Sequence, residues 1–457
     1  MVAPKKFTCG QLRIRATNWN NRRHVTANAP QPLFGPGVAR AGAAKHGLTY
    51  MKIAKCNPWT FGLLSAGLIG LPAVTHAEEK PNSVLTAIDA TTLSGYIDAS
   101  AQWNMGTGNA NTPTYAFGGP GKADGFNLNV VRLTLEKPVE AADVWGAGYT
   151  VDLLFGPDAN ALATQSSQVA GDFGVKQAYV SLHGPIGNGL DFKVGVWDTI
   201  IGYEVFDSIS NPNVTRSYGY TLEPSTHTGI KATYQLTEAL SATAAIADSF
   251  GPTINGRAFL GGGTTVPAGG QGPRAESFKT YMASVTFTAP TNWGVCSGAT
   301  LSGCIINGFN AAVNGGAGAD QTSYYIGATV NTPVTGLKVG AGYDYLGVSK
   351  QALGGSSYAN AVGLYASWQL TEKLSLYARG EYATSDTLGI AGNLLGARRV
   401  IETTATLQYD LWKDVLSRLE FRWDHAADGS HAYGGTVAGI GTGSNSYLLL
   451  ADFAYRF

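Results

Sequence analysis

The densest run of chemistry-bearing residues in this 457-residue chain is SRLEFRWDH, residues 417–425. Arg418, Glu420, Arg422 and Asp424 fall at every second position, and Leu419, Phe421 and Trp423 fill the gaps. A period of two is a strand period, because successive side chains leave a pleated strand on opposite faces. The four charges therefore share one face. By the same parity Arg379 and Glu381, Glu402, Asp191 and Lys193, Lys231, Arg132 and Asp152 stand opposite apolar neighbours in other alternating stretches. Such rows do not suggest catalysis. His183, His227, His425 and His431 are scattered, without the spacing of a helical zinc site. No Ser has neighbours that would activate it. GGPGKADG (118–125) lacks the spacing of a phosphate-binding loop, since Ala116 sits where its first Gly belongs. No catalytic residue, metal ligand set or cofactor is expected. A mixed-charge wall instead orders water and sorts hydrated solutes by its field.

A second group lies in IIGYEVFDSISNPNVTRSYGYTLE, residues 200–223, which holds Glu204, Asp207, Arg216 and Glu223. It is a long connection between the fifth and sixth strands. The expectation is that it folds inward and narrows a pore; a solvated external loop is the plainer alternative.

Elements must position these charges, and alternation recurs along the whole chain. LSGYIDASAQWN (93–104) sets Ile97 and Trp103 against Asp98 and Gln102, and fifteen such segments are legible, the last being SYLLLADFAYRF (446–457). Most reach the ~9–11 residues that a tilted transmembrane strand needs. Their connections alternate between short turns and long Gly-, Ser- and Asn-rich loops, the pattern of an outer-membrane barrel. Parity demands one more upward strand between 278–289 and 323–331, and CIINGFNAAVN (304–314) is the candidate. The expected fold is therefore all-β, a closed antiparallel transmembrane barrel of about 16 strands, with 14 or 18 left open. Charged residues on a lipid face would cost up to ~2–4 kcal/mol each at the midplane, so the charged rows must face a lumen.

Composition agrees. Charged residues make up 14% of the chain, against ~25% in a typical soluble domain. Zero net charge hides an asymmetry: residues 1–77 carry ten Lys or Arg and no acid, so the remainder holds 31 − 10 = 21 bases against 31 acids. A basic arm for nucleic acid is the weaker reading, because a secretion signal follows. Met51–Ala77 has Lys52 and Lys55, an apolar run from Phe61 to Leu71, Pro72, and small residues at Thr75 and Ala77. Residues 1–50 are expected to be a disordered extension ahead of the true start, 51–77 a signal peptide, 78–90 a periplasmic lead-in and 91–457 the barrel. Cys9 and Cys56 precede the cleavage point; Cys296 and Cys304, eight apart in an exported chain, are expected to form a disulfide in or beside a periplasmic connection.

The stretches LSGYIDASAQWN, NVVRLTLEKP, VGVWDTIIGYEVFDSISNPNVTRSYGYTLEPSTHTGIKATYQL and the terminal FAYRF resemble the OmpL-like outer-membrane β-barrel porin family over roughly residues 90–457. The resemblance implies a channel in the outer membrane of a Gram-negative-type cell and no particular substrate. The first 50 residues depart from the family's pattern.

The function expected is passive or weakly selective diffusion of small hydrophilic solutes through an outer-membrane porin. The alternatives are a closed-lumen structural, adhesin or envelope-anchoring barrel and, further off, a barrel enzyme. Expected partners are outer-membrane lipid, the barrel-assembly machinery through the strand ending at Phe457, the solutes themselves, and further copies in a homotrimer; nucleic acid is not among them. The acidic balance of the exported part favours a weak cation preference, although local field outweighs total charge in a pore.

Overall fold

The computed structural model describes residues 91–106, 108–118, 122–140, 145–166, 171–256, 278–309, 320–351, 355–386 and 395–457. The expectations for 1–50, 51–77 and 78–90 lie outside these residues. Sixteen strands follow one another: β1 (Thr92–Met105), β2 (Gly125–Lys137), β3 (Gly146–Phe155), β4 (Phe173–Gly184), β5 (Leu190–Asp198), β6 (Thr226–Gln235), β7 (Leu240–Ala247) and β8 (Thr280–Thr288). Then come β9 (Thr300–Phe309), β10 (Asp320–Asn331), β11 (Leu337–Gln351), β12 (Gly355–Gln369), β13 (Leu374–Ser385), β14 (Arg399–Trp412), β15 (Val415–Ala426) and β16 (Asn445–Arg456). Each pairs antiparallel with its neighbours in sequence, and β1 pairs with β16, so the sheet closes. Closure leaves no unpaired edge, which a lipid environment requires.

Apart from the three-residue connection between β11 and β12, the chain alternates between a rim of shorter turns and a rim of longer loops. With an even strand count, β1 starts and β16 ends at the short-turn rim. The seam is tied there by the last residue: Gly95 N–H donates to the Phe457 carbonyl at 2.9 Å, and Phe457 N–H donates back to Gly95 at 3.1 Å. The Phe457 ring lies over Gly95, where a Cβ would come within 2.8 Å of it. A Cβ there would also collide with the Arg132 backbone carbonyl of β2, so both the strand pairing and the ring seat favour glycine.

Alternation sorts the faces. Ile97 and Trp103 of β1 are exposed on the outer face, whereas Asp98 and Gln102 are buried inward. Exposed aromatics collect near both rims: Trp103, Phe155, Phe173 and Tyr447 at the long-loop end, and Trp145, Trp293, Trp412 and Phe457 at the other. Such belts sit at the two membrane–water interfaces.

The parity strand is present, but it starts four residues earlier than the candidate 304–314. The turn before it contains a 3-10 turn at Gly294–Cys296 and ends at Gly298, whose φ of +73° suits glycine. Residues 310–314 lie outside the described residues. The disulfide expectation is corrected: Cys296 and Cys304 are free, the first exposed in the turn and the second buried on the inner face of β9. At ~3.3 Å per residue, Cys304 stands roughly 13 Å up the strand from Thr300. A disulfide needs Cα atoms within ~7 Å.

Candidate functional site

Between β5 and β6 the chain turns into the barrel. Gly202, with φ +117°, starts the descent, and the Glu223 carboxylate occupies the space where a Cβ would otherwise stand. A 3-10 turn at Ser208–Ser210 forms the lowest part, and helix α1 (Tyr218–Leu222) returns the chain toward β6. Ser217 caps α1, its hydroxyl accepting from Tyr220 N–H at 2.9 Å. Apolar residues of this segment, Ile201, Tyr218 and Leu222, pack with Trp197, Phe250, Ile306, Tyr325 and Leu346 inside the barrel. The Tyr203 ring stacks on Tyr365 of β12 at 3.9 Å, and its hydroxyl accepts from Thr329 at 3.0 Å.

The inner faces of β13–β16 hold the segment by its backbone. Wall carboxylates accept its N–H groups: Glu420 takes Val214 at 2.5 Å and Thr215 at 2.9 Å, and Glu381 takes Tyr218 at 2.8 Å and Gly219 at 3.1 Å. Wall guanidiniums donate to its carbonyls: Arg379 to Thr215 at 2.7 Å, Arg418 to Ser208 at 2.8 Å, and Arg422 to Arg216 at 2.7 Å. Buried peptide groups must find partners, and here charged side chains supply them in place of sheet or helix. The wall is also paired within itself. Arg379 meets Glu402 at 3.1 Å and the segment's Glu204 at 2.8 Å; Arg418 meets Asp452 at 2.7 Å; Arg422 meets Asp424 at 2.9 Å.

The segment's four charged residues are anchors. Asp207 accepts from Arg132 at 2.5 Å and Tyr96 at 2.8 Å and lies 3.9 Å from Lys176. Burial alone would raise its carboxyl, but Lys176 and Arg132 outweigh burial and hold it below the ordinary value. Arg216 donates to the Val214 carbonyl at 2.5 Å and to those of Val205 and Phe206, locking the bend. Glu223 is the opposite case to Asp207. Burial pushes its carboxyl well above the ordinary value, and the neighbouring Asp344 carboxyl, with which it shares a hydrogen bond, pushes it further.

All the charges placed inward by parity do face inward, but their environments divide. Arg418, Glu420, Arg422, Asp424, Arg379, Glu381 and Glu402 are at most 4% exposed. The expectation that these seven border water is corrected: the segment covers them, because a backbone without secondary structure needs that many donors and acceptors to enter a barrel. Arg132 bridges Asp152 and Asp207 and is 18% exposed. Asp191 pairs with His183 at 2.6 Å, and Lys193 donates to the Tyr179 hydroxyl at 2.7 Å. These lie on the opposite wall, where inward residues such as Lys231, Thr233, Thr243 and Ser284 are only half-buried. A cavity of about 110 Å³ separates the start of the segment from Thr286, Ser302 and Tyr325, and one of about 670 Å³ lies under its tip, lined by Asn211, Gln408, Asp410 and Arg456.

Three contributors were not singled out from sequence. Asp452 carries a parity signal but sits in an almost wholly apolar strand. Lys176, which pairs with Asp198 at 2.5 Å, faces inward beside Gln177 only because a bulge breaks the register between Asp152 and Leu153. Asp344 matters only through its partner Glu223, far away in sequence.

A closed sixteen-stranded barrel with apolar outer band, aromatic belts and polar interior defines the class: this is an outer-membrane porin, a channel for small solutes in the bacterial outer membrane. Residues 90–457 match the family described as "Putative beta-barrel porin-2, OmpL-like", and the chain belongs to that family. Among solved structures it is similar in fold to the "Anion-selective porin from Comamonas acidovorans" (14% identity, TM-score 0.53, covering 80% of this chain and 99% of that one). It is also similar to the outer membrane channel DcaP of Acinetobacter baumannii (13%, 0.51, 80% and 97%). A third is OmpF of Salmonella typhi in complex with daunomycin (12%, 0.51, 80% and 97%). Comparison with curated proteins found no match.

Proposed function

We propose that small hydrophilic solutes cross this barrel by passive diffusion along one side of the lumen, between the inward segment 199–225 and the half-buried wall of β4–β9. In this reading the segment sets the constriction, and Glu204, Asp207, Arg216 and Glu223 hold its shape without touching solute. The charged rows of β13–β16 form its dock. One observation carries the reading: the inner faces of β13–β16 are sealed, whereas Lys193, Lys231, Thr233 and Thr243 keep partial exposure. A barrel of this strand number is wide enough to keep a water path beside a folded-in loop.

Cysteine accessibility in planar bilayers tests it. In a Cys296→Ser, Cys304→Ser background, Thr243→Cys should lose conductance on adding a charged methanethiosulfonate reagent, and Thr406→Cys should not respond. Reaction at Thr406 but not Thr243 would place the water path on the wrong side. Absence of conductance in the parent protein would favour the closed-lumen barrel. Two partner proposals accompany this reading. The barrel-assembly machinery recognises the C-terminal strand, supported by the alternate apolar residues ending at Phe457. Detergent-solubilised protein is expected to have the mass of a homotrimer.

A further inference from the structure

Two lysines on the open wall differ from Arg132, Lys176, Arg379, Arg418 and Arg422, each of which meets a carboxylate. Lys193 of β5 and Lys231 of β6 are directly opposite in the register, and both point into the lumen. Like charges directly opposite in a sheet are destabilising, so the fold carries this pair at a cost. Neither has a carboxylate within ion-pair distance among the described residues. Lys193 Nζ lies 4.1 Å from the Tyr179 ring centre and donates to that residue's hydroxyl. Lys231 Nζ lies 4.8 Å from the Trp197 ring centre and 3.2 Å from the Asp198 carbonyl. Aromatic faces and neutral oxygens steady an ammonium without neutralising it. Each ammonium has three donors, so N–H groups remain for a ligand. The nearby acids are already engaged: Asp198 by Lys176, Asp191 by His183, and Asp152 and Asp207 by Arg132.

We propose that Lys193 and Lys231 form an anion site in the channel, taking small solutes that carry a carboxylate or phosphate group, and that the channel therefore prefers anions. This deepens the diffusion reading and rests on it. An oxyanion between the two ammonium groups removes their mutual repulsion and replaces the missing carboxylate. The acidic net charge of the exported part does not oppose this, because the acids of the docked wall are covered and paired while these two cations keep partial exposure. A site of partly hydrated charges binds weakly enough to release its solute, as conduction requires.

The test compares the full protein with Lys193→Gln/Lys231→Gln in planar bilayers under a potassium chloride gradient, and in liposome-swelling assays with a neutral sugar. The reversal potential of the parent should show anion preference. Each charge facing a water-filled lumen at close range alters the local concentration of each ion about fivefold, raising anions and lowering cations, so the double variant should lose most of that preference. Inorganic phosphate and succinate should each reduce chloride current through the parent, competing for one site, and do so far less in the variant. Lys193→Arg/Lys231→Arg should retain selectivity, which separates charge from packing. If sugar enters through both proteins and their reversal potentials agree, the lysine site is overturned while the channel stands. If sugar enters through neither, the diffusion reading falls and the site falls with it. Block by phosphate but not succinate would overturn the carboxylate part.

Discussion

Removing Glu420 should loosen the inward segment where it is most tightly held. Its carboxylate, fully buried, accepts from Val214 N–H at 2.5 Å, Thr215 N–H at 2.9 Å, the Thr215 hydroxyl at 2.6 Å and the Thr406 hydroxyl at 2.7 Å. Glu420→Ala leaves three donors of the segment without an acceptor. Breaking a buried charged network from one side costs ~3–5 kcal/mol. That corresponds to roughly two to four orders of magnitude in the ratio of docked to undocked segment. The other anchors share contacts with this one, so their effects are not additive. Residues 213–216 should therefore lift locally in the single variant. Adding Glu381→Ala frees Tyr218 and Gly219 as well and should release α1. Single-channel recording is the assay. Glu420→Ala should raise open-channel current noise at nearly unchanged mean conductance, and the double variant should show a clearly larger mean conductance. Heat-dependent gel mobility of unboiled samples confirms that the barrel itself is closed. If the folded double variant keeps the parent's conductance and noise, the segment does not bound the water path.

Three further outcomes follow from particular residues. Because the Glu223 carboxyl is raised well above its ordinary value, the docking it supports is complete below the ordinary carboxylate range and is lost as pH rises through the raised value. Current noise should grow with pH, and Glu223→Gln should flatten that dependence; a parent protein quieter at high pH would refute the sign. Cys296, exposed, should alkylate in the folded barrel, whereas Cys304 should react only after unfolding, and reductant should leave mobility unchanged. A non-reduced peptide linking the two would contradict this in mass spectrometry. Gly95→Val drives a side chain into the Arg132 backbone carbonyl and the Phe457 ring and disturbs the seam, so the temperature at which the barrel loses its compact gel mobility should fall; an unchanged transition would show that the close approach at Gly95 does not hold the seam.

The barrel was legible in the sequence because a strand's two faces are separated by a single peptide step. Alternation in 93–104 placed Asp98 inside and Ile97 outside, and counting directions between 278–289 and 323–331 required the strand that became β9. Rows such as Arg418 to Asp424 could be assigned to the interior because lipid excludes them. Their environment could not be assigned. Whether an inward residue meets water or protein depends on where residues 199–225 settle, and that is decided by contacts such as Glu420 with Thr215, separated by 205 positions. Periodicity is local and carries no information about such a partner. The same limit hid the bulge that turns Lys176 inward and the meeting of Glu223 with Asp344. It also explains why residues with the same inward parity divide: Arg422 is sealed beneath a folded segment, while Lys193 and Lys231 face one another unneutralised across two paired strands.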